Sequence, residues 1–242
     1  MPDPQKKPNL LDQVNRKSEN FVFSVCHNLR SPLASIRGIA DIISSEELQQ
    51  DDFVMLMAEL ITSIDRMDQT ICETIDYSKK SDLNITPAIV DVAQLIHSSF
   101  RELKFCTKNK VEMTLTSNIE SAFYSDVKCL NSLVTNVMSN AIKYADEAKD
   151  TSFLSIDLLV NENMCIIKFE DNGIGMSDDT ISKACDMFYR GTNKAFGTGM
   201  GLAIAKETID QLGGIMNIDS KSGIGTTITL KIPNMNKCTV HP

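Results

Sequence analysis

From Leu11 onward, seam positions recur at alternating spacings of three and four: Leu11, Val14, Ser18, Phe21, Val25, Asn28, Pro32, Ile36, Ile39 and Ile43. Ser18, Asn28 and Pro32 are lapses in an otherwise apolar stripe. That period is the seam of one helix laid against another. The polar stretch 44–50 interrupts it, and a second seam follows through Phe53, Met57, Leu60, Ile64, Met67, Ile71, Thr74 and Ser78. Two such helices on a short connection predict an antiparallel hairpin over 10–80. A lone hairpin leaves an apolar stripe on each helix partly uncovered, so a homodimer closed as a four-helix bundle is expected. The competing solution packs that stripe on the domain that follows.

Residues 81–87 are polar and proline-bearing and read as a linker, after which the period changes. Residues 92–106 predict a helix with Val92, Leu95, Ile96, Ser99 and Leu103 on one face, and 111–116 alternate like a strand. A helix over 125–145 turns Leu130, Leu133, Val134, Val137, Met138 and Ala141 inward. Strands 153–160 and 164–170 form a hairpin across Asn161-Glu162-Asn163. A helix over 202–212 ends at Gly213-Gly214, and strands 215–219 and 226–232 close the fold. The fold class is therefore α+β: a dimerising helical hairpin, then an α/β sandwich over 88–233. A flexible lead-in (1–9) and a tail (234–242) flank them.

Composition narrows the function. A net charge of -8 lacks the basic footprint of a nucleic-acid binder. No run of about 20 apolar residues spans a bilayer and no signal peptide opens the chain, which predicts a soluble, cytoplasmic protein. Seven cysteines, at 26, 72, 106, 129, 165, 185 and 238, form no CxxC pair and are expected to be buried, reduced thiols.

The chemistry is concentrated in three places. Asn136 and Asn140, four apart, share a helix face, with Lys143 and Tyr144 one turn on. Amide oxygens suit Mg2+, a lysine meets phosphate and a tyrosine ring stacks on a base; in isolation the same face reads more readily as simply solvated. Asp171-Asn172-Gly173-Ile174-Gly175 follows a strand directly, where a carboxylate can accept a hydrogen bond from an adenine amino group. Gly197-Thr198-Gly199-Met200-Gly201-Leu202 opens a helix, and backbone amides there make an anion site. It is not the dinucleotide fingerprint, because no βαβ crossover surrounds it. Between the two glycine turns, 177–196 carries Phe188, Tyr189, Arg190 and Lys194 and reads as a lid over phosphates. Gly223-Ile224-Gly225-Thr226 leads tightly into the last strand.

His27 is the third place. It sits one position before the seam, so its ring is expected in solvent, and a neutral imidazole is a competent nucleophile toward a γ-phosphate. Pro32 has no N–H for the carbonyl of Asn28, which predicts a bend beside the nucleophile. His97 and His241 lack catalytic neighbours and read as structural or inert.

In this order the motifs resemble the catalytic core of two-component sensor histidine kinases. Asn140, Gly173, Gly175, Gly197, Gly199 and Gly201 match that family's ATP-site boxes, Met187-Phe188-Tyr189-Arg190 its lid box and 27–32 its phosphoacceptor box. The resemblance runs from about residue 10 to 233. It implies a Bergerat-type ATP domain in which Asn140, with Asn136 nearby, holds Mg2+. Lys143 and Arg190 would contact phosphates, Tyr144 would lie against adenine, Asp171 would bind its amino group and Thr226 would support that end. His27 would be phosphorylated from ATP and pass the group to an aspartate of a response-regulator receiver domain. The family usually has Glu or Asp where this chain has Asn28, which predicts slower or differently assisted chemistry. Ser31 stands where a Thr or Asn positions water for dephosphorylating the partner. Alternatives from other classes are a catalytically weakened ATP-sensing scaffold and an energy-coupling ATPase, the latter leaving His27 unexplained. The signal, and any attachment to an upstream sensor, are not legible.

Overall fold

Helix α1 (Leu10–Ser45) runs through Pro32 as one helix, and α2 (Gln50–Lys80) returns beside it. The computed structural model describes residues 10–45, 49–80, 85–105, 111–191 and 198–235. The lead-in 1–9, most of the tail, Lys194, Gly197, Cys106, Cys238 and His241 lie outside the described residues. The described part of the α1 seam is as expected: Phe21, Val25, Asn28, Pro32, Ile36, Ile39 and Ile43 are half-buried or buried, while the side chains of Leu11, Val14 and Ser18 lie outside those described. The rings of Phe21 and Tyr77 meet at 4.8 Å, tying the two helices near the hairpin's open end.

The α2 seam needs a correction. Ser63 and Thr70 are buried, while Phe53, Ile64 and Ile71 are 43, 47 and 41% exposed. The inward stripe is Leu56, Leu60, Ser63, Met67, Thr70, Thr74 and Tyr77: Leu60, Met67 and Thr74 lie inward as predicted, but the positions between them are filled by Ser63 and Thr70 rather than Ile64 and Ile71. Hydroxyls bury at little cost here because each bonds back along its own helix: Ser63 Oγ to Glu59 O (3.0 Å) and Thr70 Oγ1 to Arg66 O (2.8 Å). Both α2 stripes are apolar enough to be a seam, so periodicity alone does not choose between them.

Residues 81–242 form the second compact unit. After β1 (Ala88–Ile89) and α3 (Val92–Phe105) come β2 (Val111–Ile119), β3 (Tyr124–Ser125) and α4 (Val127–Lys143). Then follow β4 (Ser152–Val160), β5 (Met164–Asp171), α5 (Asp178–Lys183), α6 (Gly201–Gln211), β6 (Ile215–Lys221) and β7 (Gly225–Pro233). The main sheet has the order β2-β4-β5-β7-β6; β2 and β4 are parallel and the other neighbours antiparallel. Alternate residues of β4, β5 and β7 (Leu154, Ile156, Leu158; Cys165, Ile167, Phe169; Ile228, Leu230, Ile232) are buried in one core with α3, α4 and α6. One sheet face therefore carries the helices, giving the two layers expected.

Some particulars differ from the sequence reading. Short β1 and β3 pair with each other, and α5 forms between the glycine turns. Because β7 is antiparallel to both β5 and β6, those two strands run the same way and α6 is the crossover between them. A split βαβ unit thus surrounds the glycine-rich turn after all. The linker and tail readings also overreach: Thr86 N donates to Asp126 Oδ2 (3.0 Å), and Asn234 Oδ1 accepts from Tyr124 N (2.9 Å), so both positions are bonded into this unit. Cys129 and Cys165 are buried as expected, but Cys26 and Cys72 are exposed on the outer faces of the hairpin.

Helix ends are set by local chemistry. Gly213 takes a positive φ of 68° and the N–H of Gly214 returns to Ile209 O (2.8 Å), a Schellman stop for α6. Asp126 caps α4, Oδ1 accepting from Cys129 N at 2.9 Å. Burial raises its pKa, but the N–H groups of Cys129 and Thr86 outweigh that and hold it below the usual carboxylate value. A depressed carboxylate stabilises the fold above its unfolded pKa and loses that contribution as pH falls through the lowered value. Asp126→Ala is expected to cost about 1–2 kcal/mol in urea denaturation at neutral pH, the difference shrinking in acid.

Candidate functional site

Two helix faces and two turns converge in the second unit. Asn136 and Asn140 project from α4 toward Gly201, the first residue of α6: a Cβ at Gly201 would lie 3.3 Å from Asn140 Oδ1 and 3.4 Å from Asn136 Oδ1. Asn136 Nδ2 donates to Ser132 O (2.8 Å), which leaves its oxygen turned toward this junction. The Nδ2 end of Asn140 is buried without a partner among the described residues. A buried amide end with nothing to bond points to a ligand, and its nitrogen and oxygen interchange by a half-turn. Among the described residues no group of three or more His, Cys, Asp or Glu could hold a metal ion, so hard amide oxygens are the donors on offer here. They fit a small oxygen-loving cation.

The start of α6 is built for an anion. Unlike α4 and α5, capped by Asp126 and Ser177, it begins at Met200 with no side-chain cap. Its first backbone N–H groups are therefore not consumed by a cap. Gly199, with φ 77°, packs where a Cβ would run into the backbone of Phe188 and Tyr189, and Phe188 N donates to Gly199 O (3.0 Å). Phe188 itself has a φ of 64°, a strained value for a bulky residue. The lid's described end is thereby pinned to the glycine turn. Thr198 is buried, its Oγ1 accepting from Met200 N (3.3 Å), and Leu202 packs on the core. Arg190 is exposed; Lys143 is half-buried in the last turn of α4.

Asp171 ends β5, opposite Thr226 in β7. Its Oδ1 accepts from Gly173 N (2.8 Å) and Thr226 N (3.3 Å). Burial pushes its pKa up against those bonds. One oxygen is thus committed to the backbone, and Oδ2 accepts from no protein donor among the described residues. Gly173 is there because a side chain would strike the carbonyl of Tyr144, which accepts from Ile174 N (3.0 Å). Gly175, at φ 64°, lies against Lys221 O, and Gly225 lies against Asp171 O. Ser220, which sequence reasoning missed, joins the turns by accepting from Met176 N (2.8 Å), donating to Gly225 O (2.9 Å) and sharing a hydrogen bond with Thr226 Oγ1 (2.9 Å). Lys149, also missed, has no motif around it that marks it.

In the hairpin, His27 and Ser31 are exposed, one turn apart on α1, and Asn28 is half-buried. His27 is thus exposed one position before the seam and Asn28 lies on it, as the spacing predicts. No described helix is long and apolar enough to cross a membrane.

Comparisons with known proteins agree with this division. A family model described as histidine kinase-, DNA gyrase B- and HSP90-like ATPase matches residues 125–236, and one described as the His Kinase A (phospho-acceptor) domain matches 17–82. The chain is 28% identical over 233 residues to sensor histidine kinase WalK of Bacillus subtilis (strain 168), covering 92% of this chain and 38% of that protein. Sensor histidine kinase YvrG of the same organism is 27% identical over 237 residues, covering 90% and 39%. The chain spans about two-fifths of the length of these relatives. Among solved structures, Acinetobacter baumannii histidine kinase AdeS shares the fold with a TM-score of 0.67 at 20% identity, covering 87% of this chain and 98% of that one.

Proposed function

The chain belongs to the two-component sensor histidine kinases, and on that premise we propose that it is an ATP-dependent autokinase in which His27 accepts the γ-phosphoryl group and yields it to an aspartate of a receiver domain. The observation that carries this reading is an exposed histidine on α1 in the same chain as a second unit that holds Asp171, Asn140 and the uncapped start of α6. A nitrogen lone pair of His27 forms the bond to the γ-phosphorus as the bond to the β–γ bridging oxygen breaks, leaving ADP. Asp171 Oδ2 accepts from the adenine amino group, with Thr226 and Gly173 holding its other oxygen. Amides at the start of α6, with Lys143, Arg190 and Lys194, meet the phosphates. Asn140 and Asn136 would hold Mg2+, which when bound neutralises charge on the phosphate oxygens.

The hairpin works as a homodimer. In a single chain Ile61, Ile64, Ile71 and Ile75 form an exposed α2 stripe at helical spacing, suited to a second copy. We place this catalytic part in the cytoplasm, where ATP is available.

Incubation with γ-labelled ATP tests the reading. Acid-labile, alkali-stable label on the chain supports it. Steady phosphate release without label would identify an energy-coupling ATPase instead. Asn28 favours a second reading, a scaffold that binds ATP without transferring it, because an amide cannot take the imidazole proton. That scaffold would bind ATP and acquire no label. If instead Asn28 merely slows transfer, Asn28→Asp should raise the initial labelling rate by about a hundredfold, the low end of general-base assistance. An unchanged or lower rate would remove the assignment of slow chemistry to this position.

A further inference from the structure

Lys149 lies between α4 and β4, outside every motif, yet its ammonium donates to four backbone carbonyls. They are those of Asn172 (2.6 Å), Gly173 (3.2 Å), Gly223 (3.1 Å) and Ile224 (3.0 Å). An ammonium has three N–H groups. Four acceptors on three N–H groups means that one N–H is shared, and backbone carbonyls gathered in this way stand in for part of the hydration of a monovalent ion. The ion pair with Asp146, at 4.0 Å on a partly exposed surface, adds little.

The four carbonyls come in two pairs. Asn172 and Gly173 follow β5; Gly223 and Ile224 turn between β6 and β7. Asp171 stands where those two turns meet, bonded through Oδ1 to an N–H from each side, Gly173 and Thr226. Gly223 N also donates to Ile174 O (2.7 Å), closing the same junction. Without a charge between them, two sets of carbonyl dipoles would face each other unpaired, and the junction would relax outward.

We propose that Lys149 is a positioning residue whose ammonium serves as a built-in monovalent cation, clamping the two turns so that Asp171 keeps its ligand-facing pose. This rests on the proposed role of Asp171 in binding adenine. Removing the side chain leaves a ring of carbonyls that an ammonium or potassium ion can fill.

The test compares wild type, Lys149→Ala and Lys149→Met in ammonium, potassium, sodium and lithium chloride at one ionic strength. ATP affinity is read by calorimetry and thermal midpoints are read without nucleotide. Wild type is expected to bind ATP alike in all four salts. Lys149→Ala should lose about tenfold or more in affinity in sodium and lithium, the scale of a lost charge-assisted hydrogen-bond set, and recover in ammonium and potassium. Its thermal midpoint should show the same ion order. Lys149→Met keeps the stem and blocks the ring, so it should lose affinity in every salt and not recover. Equal affinity of Lys149→Ala and wild type in sodium, or a loss that neither ammonium nor potassium repairs in the folded variant, would overturn the proposal. If Lys149→Ala unfolds in every salt, Lys149→Met decides, and wild-type affinity in that variant overturns it. If wild type binds no ATP, the adenine reading fails, while the nucleotide-free midpoints still report on the clamp.

Discussion

His27→Ala is expected to abolish labelling of the chain by γ-labelled ATP while leaving ATP affinity unchanged. The two effects separate because His27 sits on α1 in the hairpin, whereas Asp171, Asn140 and the α6 start belong to the other unit. Substituting an exposed helix position with alanine, the best helix former, also leaves the fold intact. The loss of acid-labile label should be complete rather than graded, since the imidazole is the acceptor itself and residues 10–80 hold no second histidine. His97, exposed on α3, is the internal control: His97→Ala should label as wild type does. Persistent acid-labile label in His27→Ala would move the acceptor elsewhere.

Asp171→Asn is expected to lower ATP affinity by roughly 10- to 100-fold, the range of losing a hydrogen bond to a charged acceptor, about 1.5–3 kcal/mol. The amide oxygen can still accept from Gly173 N and Thr226 N, so the local backbone should hold. Its NH2, however, would face the adenine amino group donor to donor. Stability should move the other way. Burial raises the Asp171 pKa, so keeping it ionised in the fold costs free energy. That cost is absent below the unfolded carboxylate pKa, where both states are protonated, and present in full above the raised folded value. At neutral pH the asparagine variant should therefore be at least as stable as wild type in urea denaturation, the gap closing in acid. Weaker binding together with lower stability would instead make Asp171 a structural residue.

Much of the candidate site was legible because its parts carry local signatures. Asp171 ends an alternating run, so its place at a strand end follows from period alone. Gly201 and Gly213 mark helix boundaries through conformations or spaces that side chains deny. What failed to read were residues whose roles depend on partners far along the chain. Lys149 meets carbonyls 23 to 75 positions away. Ser220 meets Met176 across 44. Nothing local distinguishes such a lysine or serine from a solvated one.

The hairpin shows the same boundary. Heptad spacing by itself determined that α1 and α2 are paired helices, and that His27 faces water one step off the seam. The order of acceptor and ATP motifs along the chain carries the family resemblance on which the functional reading depends. Only the tertiary structure decided which of two neighbouring α2 stripes turns inward, because both are apolar enough and the choice lies in packing against α1. It alone decided that β5 and β6 run parallel with β7 between them, which brings the two turns together around Asp171 and Lys149. Local patterns record what each residue does to its own backbone, whereas a junction between distant turns exists only once the sheet order has closed.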